Sequence, residues 1–351
     1  MQSENGNQKR VADLIFKAYE KKTDQPRIHL GASEIGKPCD KALWYSFRWA
    51  TIKKYPGRIL RLFSTGVRAE SRFFDELKSI GATVYDRSPE TGQQIKFESF
   101  GGHFGGSCDA VAQGIPYEPD KWAIVECKTH SSKSFADLVK QGVQKAKPEH
   151  YAQMQVYMGL SQGIERALYI AENKDNDDLY DEWVEFNREA FTLYLTRANA
   201  IVNLPVPPLG VSTDPSWFQC KFCEHKSTCH KESVAQVNCR TCSFSTPKEN
   251  GTWYCSAFKK TLSVQDQINA CRSHVFIPHL VTIAEAIDGG DDFIVYETDK
   301  KTKFANVAEG VKTEYMSLSS RELSGISKHT IENEAVKQLK SIGAEIVNDD
   351  I

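Results

Sequence analysis

The chain reads as an α/β protein: a mixed central sheet flanked by helices, followed by a small cysteine-rich metal module and a small α+β tail. Three observations predict this. Hydrophobic spacing is helical up to Gly81, alternates as in strands through His130, and turns helical again after Glu149. Eight of the ten cysteines belong to spaced sets, with the densest run at CKFCEHKSTC, residues 220–229. Hydrophobic residues make up 40% and aromatics 11% of the 351 positions, which is enough to build a core.

Taken in order, residues 9–22 predict a short amphipathic helix. GASEIGKPCDKALWYSFRWA (31–50) predicts a helix through Trp44 and Phe47 with Ser33 as its N-cap. TGVRAESRFFDELKSIG (65–81) predicts a stronger helix, with Phe73, Phe74 and Leu77 on one face and Gly81 as the left-handed stop. TVYDRSPETGQQIKFESFGGHFGGSCDAVAQG reads as several strands with glycine-rich turns, and KWAIVECKTH as a buried strand. HYAQMQVYMGLSQG is a helix ending at Gly163, and RALYIAENKDNDDLYDEWVEF is a hairpin with an acidic tip. FTLYLTRANAIVNL is another helix, and PVPPLGVSTDP is a connector. In the tail, DFIVYET and TKFANVA form a strand pair, and a polar helix follows near 328–342.

The boundaries expected are an N-terminal helix (1–30), a main α/β domain (31–235), a four-cysteine module (236–280) and the tail (281–351). No run of about 18 apolar residues occurs, so no membrane span is expected. The N-terminus is polar and then amphipathic, unlike a secretory signal. With ten cysteines, that points to a reducing, cytoplasmic setting and to metal ligation instead of disulfides. The net charge of −2 excludes little, because charge is unevenly spread. Lys37 to Asp75 holds nine Lys/Arg against three acids, and Glu172 to Glu189 holds eight acids against two basic residues. A basic stripe suits a polyanion, although a solvated helix face has the same composition.

The chemistry centres on Asp109, Glu126 and Lys128. Asp109 closes the glycine-rich strand GGHFGGSCDA. Glu126 and Lys128 are two apart on IVECKTH and so share a face, while Cys127 points into the core. If the strands pair, Asp109 stands beside Glu126, and two such carboxylates repel unless a divalent cation lies between them. A lysine beside that cation can orient a water and offset charge on a phosphorane, the layout for metal-assisted phosphodiester hydrolysis. An ordinary hairpin with a charged wet face would show the same short pattern. Two further features extend it: Gly66-x3-Glu70 on the preceding helix, and Gln153-x3-Tyr157, one helical turn apart, on the following one.

This ordered set, G-x3-E, D, E-x-K and Q-x3-Y, resembles the PD-(D/E)xK nuclease superfamily, in particular its RecB-like and lambda-exonuclease-like branches, over roughly residues 30–235. The resemblance implies a restriction-endonuclease-like fold. It implies that Glu70, Asp109, Glu126 and the backbone carbonyl of Cys127 bind Mg²⁺ or Mn²⁺, that Lys128 is the catalytic lysine, and that Gln153 and Tyr157 contact DNA. Many RecB-like members carry histidine where Glu70 stands, whereas the lambda-type branch carries glutamate. The proline-aspartate pair of the family name is Cys108-Asp109 here.

Cys220, Cys223 and Cys229 lack a fourth ligand. One pairing is a zinc ribbon of Cys220, Cys223, Cys239 and Cys242. The other joins Cys39 to Cys220, Cys223 and Cys229, and leaves Cys239, Cys242, Cys255 and Cys271 as a second complete quartet. Counting favours the second pairing, with Cys108 and Cys127 as small buried hydrophobes. An upstream cysteine in a CDKALWY helix followed by C-x2-C-x5-C also resembles the iron–sulfur nucleases, the AddB nuclease domain and the CRISPR-adaptation nucleases among them. That resemblance implies a 4Fe–4S cluster stapling the two ends of the domain, with zinc as the rival in the same quartet. The second quartet, C-x2-C-x12-C-x15-C, reads as structural zinc, and His225, His230 and His274 lie near enough to substitute as ligands within either quartet.

The expected activity is metal-dependent cleavage of DNA, exonucleolytic on linear or single-stranded ends, in recombination, repair or viral DNA processing. Recombination or replication proteins are the expected partners. Arg58, Arg61, Arg68 and Arg72 are expected to line the approach to the metal. The rivals are a structure-specific or single-strand endonuclease of the same fold and an inactive DNA-binding scaffold.

Overall fold

The structure, a computed structural model, describes residues 10–21, 26–52, 54–116 and 118–346. The predicted 9–22 helix appears as α1 (Val11–Glu20); its outermost positions, and Lys53 of the basic segment, lie outside the described residues. After β1 (Leu30–Gly31), α2 spans Asp40–Phe47. Ser33 is therefore not its N-cap. Pro38 disfavours helical backbone at Lys37, so Cys39 takes the capping position and Ser33 Oγ accepts from Arg27 at 3.1 Å.

The next helix, α3 (Gly57–Ser79), is longer than the sequence suggests because it begins directly after Pro56. Gly81 (φ +98°) ends it as expected. The amide of Ala82 donates to Leu77 O and that of Gly81 to Lys78 O, which together satisfy the last carbonyls.

The main sheet has five strands: β2 (Thr83–Tyr85), β5 (Ala110–Gln113), β6 (Ala123–His130), β7 (Arg166–Asn173) and β8 (Leu179–Glu185), in the order β2-β5-β6-β7-β8. It is mixed: β6 and β7 run parallel, and every other neighbouring pair is antiparallel. The parallel pair requires a crossover, supplied by α4 (Ser132–Ala146) and α5 (Pro148–Ser161). The periodicity did not reveal α4, which is broken at Gly142 (φ +72°), where Glu182 Oε2 accepts from the Val143 amide at 2.8 Å. The turn that ends α5 falls on Gln162 (φ +58°), one residue before Gly163. β3 (Lys96–Ser99), β4 (Phe104–Ser107) and β1 form a second sheet, and α6 (Arg188–Asn203) follows the β7–β8 hairpin.

Beyond the connector lie the short helices α7 (Phe218–Lys221) and α8 (Lys226–Cys229). A three-stranded sheet of β9 (Ser245–Pro247), β10 (Trp253–Cys255) and β11 (Lys260–Leu262) comes next, then α9 (Val264–Asn269). The tail holds β12 (Glu285–Gly289), β13 (Phe293–Glu297), β14 (Lys303–Val307) and β15 (Met316–Leu318), then α10 (Ser320–Ser324). The polar helix expected at 328–342 is two, α11 (Lys328–Glu332) and α12 (Glu334–Ser341), divided at Asn333, whose side chain caps the second.

One apolar cluster runs through all these parts. It joins Leu43, Trp44 and Phe47 of α2, Met154 and Tyr157 of α5, Trp253 of β10, and Tyr296 and Phe304 of the tail sheet. A second cluster, with Phe73, Leu77, Val125, Cys127 and Leu168, seats α3 on the other face of the main sheet. No helix among the described residues is long and apolar enough to cross a membrane.

Candidate active site

β5 and β6 pair with Ala110 opposite Val125, so the next residues outward are Asp109 and Glu126. Asp109 occupies the two-residue break between β4 and β5 and does not end a strand. The break frees its side chain, and Asp109 Oδ2 accepts from the Cys127 amide at 2.8 Å and from Lys128 Nζ at 3.4 Å. Lys128 Nζ also donates to Cys127 O at 3.0 Å and closes an ion pair with Glu126 Oε1. Two carboxylates, one ammonium and one main-chain carbonyl thus meet midway along β6, just past its pairing with β5.

Glu126 is fully buried. Burial drives its carboxyl up to about 7; Lys128 opposes this and Asp109 adds to it. Its Oε1 touches Lys128 without an aligned hydrogen bond, and so retains acceptor capacity in a dry site. Glu70 projects from α3 toward the same place. Burial first, then the charge of Asp109, raises it to about 7, while Lys128 works the other way. Lys128 is held well above the ordinary lysine range, because attraction to Glu126 and Asp109 outweighs the desolvation that favours its neutral form.

Gln153 and Tyr157 do not face solvent. Both are buried on α5, behind the carboxylates: Gln153 Nε2 donates to Glu126 Oε2 at 3.0 Å, and Tyr157 OH donates to Ser107 O at 2.9 Å. The pair therefore orients the acid and anchors the strand that leads to Asp109, and neither presents a surface to DNA. Nor does Arg72 belong with the approach arginines. It is bound to Glu76 at 2.9 Å, to Glu172 at 3.0 Å and to Asp177 at 3.4 Å, tying the basic helix to the acidic hairpin. Arg58, Arg61 and Arg68 are exposed along α3.

Sequence reasoning missed a polar cluster beside Lys128. Tyr169 OH lies 2.8 Å from His130 Nε2 and 2.9 Å from His150 Nδ1, and the rings of His130 and His150 stack with centroids 6.0 Å apart. The spacing of these residues, on β6, α5 and β7, carries no motif. Only the parallel register, which sets Glu126 beside Tyr169, brings them together.

None of the ten cysteines is in a disulfide. Cys39, Cys220, Cys223 and Cys229 line one largely apolar cavity with Tyr45, His225 and His230. Cys108 and Cys127 lie in the apolar clusters, as small buried side chains do. His274 is buried with Nε2 3.0 Å from Asn238 O and 3.3 Å from Thr241 Oγ1, while its Nδ1 has no hydrogen-bond partner among the described residues. Among the described residues, no three His, Cys, Asp or Glu side chains are placed to hold a metal ion as they stand.

No family model matches the chain, and no curated protein does. Solved structures similar to it include the crystal structure of SSO0001, at 14% identity over 62% of this chain and 94% of that one, with a TM-score of 0.37. They also include an alkaline exonuclease from Laribacter hongkongensis, at 17% identity over 54% of this chain and 89% of that one, with a TM-score of 0.35. The same exonuclease in complex with dAMP gives 18% identity, the same coverage and a TM-score of 0.37.

Proposed function

We propose that this protein is a divalent-metal-dependent deoxyribonuclease that acts from DNA ends. The observation that carries the reading is the contact of Lys128 with both Asp109 and Glu126 midway along β6, with Glu70 facing them from α3. A buried carboxyl beside a second carboxyl destabilises a fold unless something cationic is shared between them.

Glu70, Asp109, Glu126 and the carbonyl of Cys127 would hold Mg²⁺ or Mn²⁺, and the residues fit. They are hard oxygen donors, and the buried Glu126 Oε1 retains acceptor capacity. A divalent ion there would supply Lewis-acid stabilisation of the charge that builds on the phosphoryl oxygens and would lower the pKa of an attacking water. Lys128, already drawn to that point, orients the water and offsets developing negative charge. Gln153 is a positioning residue: its amide fixes one oxygen of Glu126 and leaves the other for the site. Arg58, Arg61 and Arg68 supply phosphate contacts that hold a strand without reading its sequence.

In the same reading, Cys39, Cys220, Cys223 and Cys229 hold a 4Fe–4S cluster. Four thiols in an apolar cavity are a donor set suited to it. The cluster would join the start of α2 to α7 and α8 and close a loop of more than 180 residues.

The test uses one plasmid in two forms, incubated with the purified protein and Mg²⁺ or Mn²⁺. Linear duplex should be degraded progressively from its ends, while covalently closed circles resist. Rapid cutting of intact circles at comparable enzyme levels would overturn the exonuclease reading in favour of an endonuclease. Binding without cleavage of either form would leave the inactive scaffold.

A further inference from the structure

Four thiols outside the acidic site gather at one end of the small β9–β11 sheet. Cys239 opens a single turn of 3-10 helix, Cys242 follows it, Cys255 ends β10, and Cys271 comes after α9. Cys239, Cys242 and Cys255 are buried. The backbone ties their positions together: the Cys242 amide donates to Cys239 O at 3.2 Å, Cys255 pairs with Ser245, whose amide donates to Cys242 O at 3.1 Å, and Cys242 bridges Phe276, a few residues past Cys271. The competing contact is Cys239 Sγ to Asp266 O at 3.3 Å, which a metal would replace.

The surroundings say what such a site would hold in place. Strands of three residues bury too little to fold alone. Yet Trp253 of β10 is 1% exposed and packs on Phe47, with ring centroids 5.4 Å apart. The β9–β10 turn presses on the main domain so closely that a Cβ on Gly251 would lie 1.9 Å from Gly101 O. His103 Nε2 donates to Lys248 O at 2.9 Å in the same contact. His103 immediately precedes β4, the strand that leads to Asp109.

We propose that Cys239, Cys242, Cys255 and Cys271 bind one zinc ion as four thiolates, and that this ion fixes the β9–β10 hairpin against the strand entering the acidic site. On binding, four S–H protons leave to solvent and four Zn–S bonds form, with no change of oxidation state. The thiols close on the ion by steps between staggered side-chain rotamers, which move a sulfur without displacing its backbone.

The test is metal analysis of the full chain, its Cys39→Ser variant and its Cys255→Ser variant. Cobalt exchange then reads out thiolate ligation by its charge-transfer absorbance. About one zinc per chain should persist in Cys39→Ser and be lost in Cys255→Ser. Cys271→His, which keeps a ligand, should retain the metal with an altered cobalt spectrum if Cys255→Ser does not fold. Brief trypsin treatment should cut after Lys248 several-fold faster once the zinc is removed by chelator. Zinc absent from Cys39→Ser, zinc retained in Cys255→Ser, or iron in its place would overturn the site. Unchanged cleavage at Lys248 would overturn the brace. None of these readouts depends on DNA hydrolysis, so they stand or fall apart from the nuclease reading.

Discussion

Replacing Glu126 with glutamine should abolish cleavage while making the metal-free protein more stable. Glu126 is fully buried, and burial raises its carboxyl from 4.5 to about 7. Between those values the folded protein keeps a proton that the unfolded chain has released. Stability therefore falls as pH rises from 4.5, and the full penalty is present above 7. At about 1.4 kcal/mol per pH unit, the ionised carboxylate costs the fold roughly 3 kcal/mol at pH 8. Glutamine removes that cost but loses the ion pair with Lys128, which keeps Asp109 at 3.4 Å and Cys127 O at 3.0 Å. The net gain should be about 1–3 kcal/mol, shrinking below about 1 kcal/mol at pH 5. Urea unfolding in EDTA at the two pH values measures this, and end-labelled DNA with Mg²⁺ measures activity. Adding Mg²⁺ should stabilise the wild type and leave Glu126→Gln unmoved. A variant that is destabilised by more than about 2 kcal/mol at pH 8, or that still cuts DNA, would refute the placement of Glu126 as a strained ligand.

Four further outcomes are expected. Asp109→Ala should lose cleavage and also destabilise by about 1–3 kcal/mol, because the Cys127 amide loses its acceptor; wild-type turnover in this variant would be decisive against the site. Lys128→Ala should lose activity but keep divalent-ion binding by calorimetry. Anaerobically purified protein should be brown, with absorbance near ~400 nm that Cys39→Ser bleaches and Cys239→Ser does not; colourless protein without iron would exclude the cluster. Burial first, then nearby ammonium groups, hold His130 down to about 4 and His150 to about 3. The unfolded chain takes those protons first, so stability should decline as pH drops below 6.5 through 4, and the decline in urea midpoint should flatten in His150→Gln.

Much of the central sheet could be read from sequence because its signals are local. The apolar run around Glu126 and Lys128 could only be a buried strand, the acidic tip could only be a turn, and Gly81 stopped α3 where its backbone required. What failed depended on partners far away in the chain. Gln153 and Tyr157 sit on a helix buried on most of its faces, so spacing alone could not tell an inward pair from a DNA-facing one. Arg72 looked like a phosphate ligand until its carboxylates, a hundred residues on, came into contact. Ser33 lost its predicted cap to the backbone restriction of Pro38, and α4 was hidden by the break at Gly142. The acid–lysine pair was legible because the strand period fixes which side chains share a face. The His130–Tyr169–His150 cluster was not, because only parallel pairing assembles it.

The shared apolar cluster has a consequence for synthesis on the ribosome. Arg48 donates to Arg240 O across 192 residues, and Trp44 to Leu204 O across 160. Arg240, whose guanidinium lies 3.7 Å from the ring centroid of Trp49, reaches back 212 residues to Ile28 O. At about 5–20 residues per second, the segment after α2 waits roughly 10–40 s for the chain that will cover it. Until then Leu43, Trp44, Tyr45 and Phe47, all buried in the finished protein, have no native cover from that side. A nascent chain halted short of residue 240 should therefore bind chaperones and resist folding, even though every residue of the acidic site has already been made.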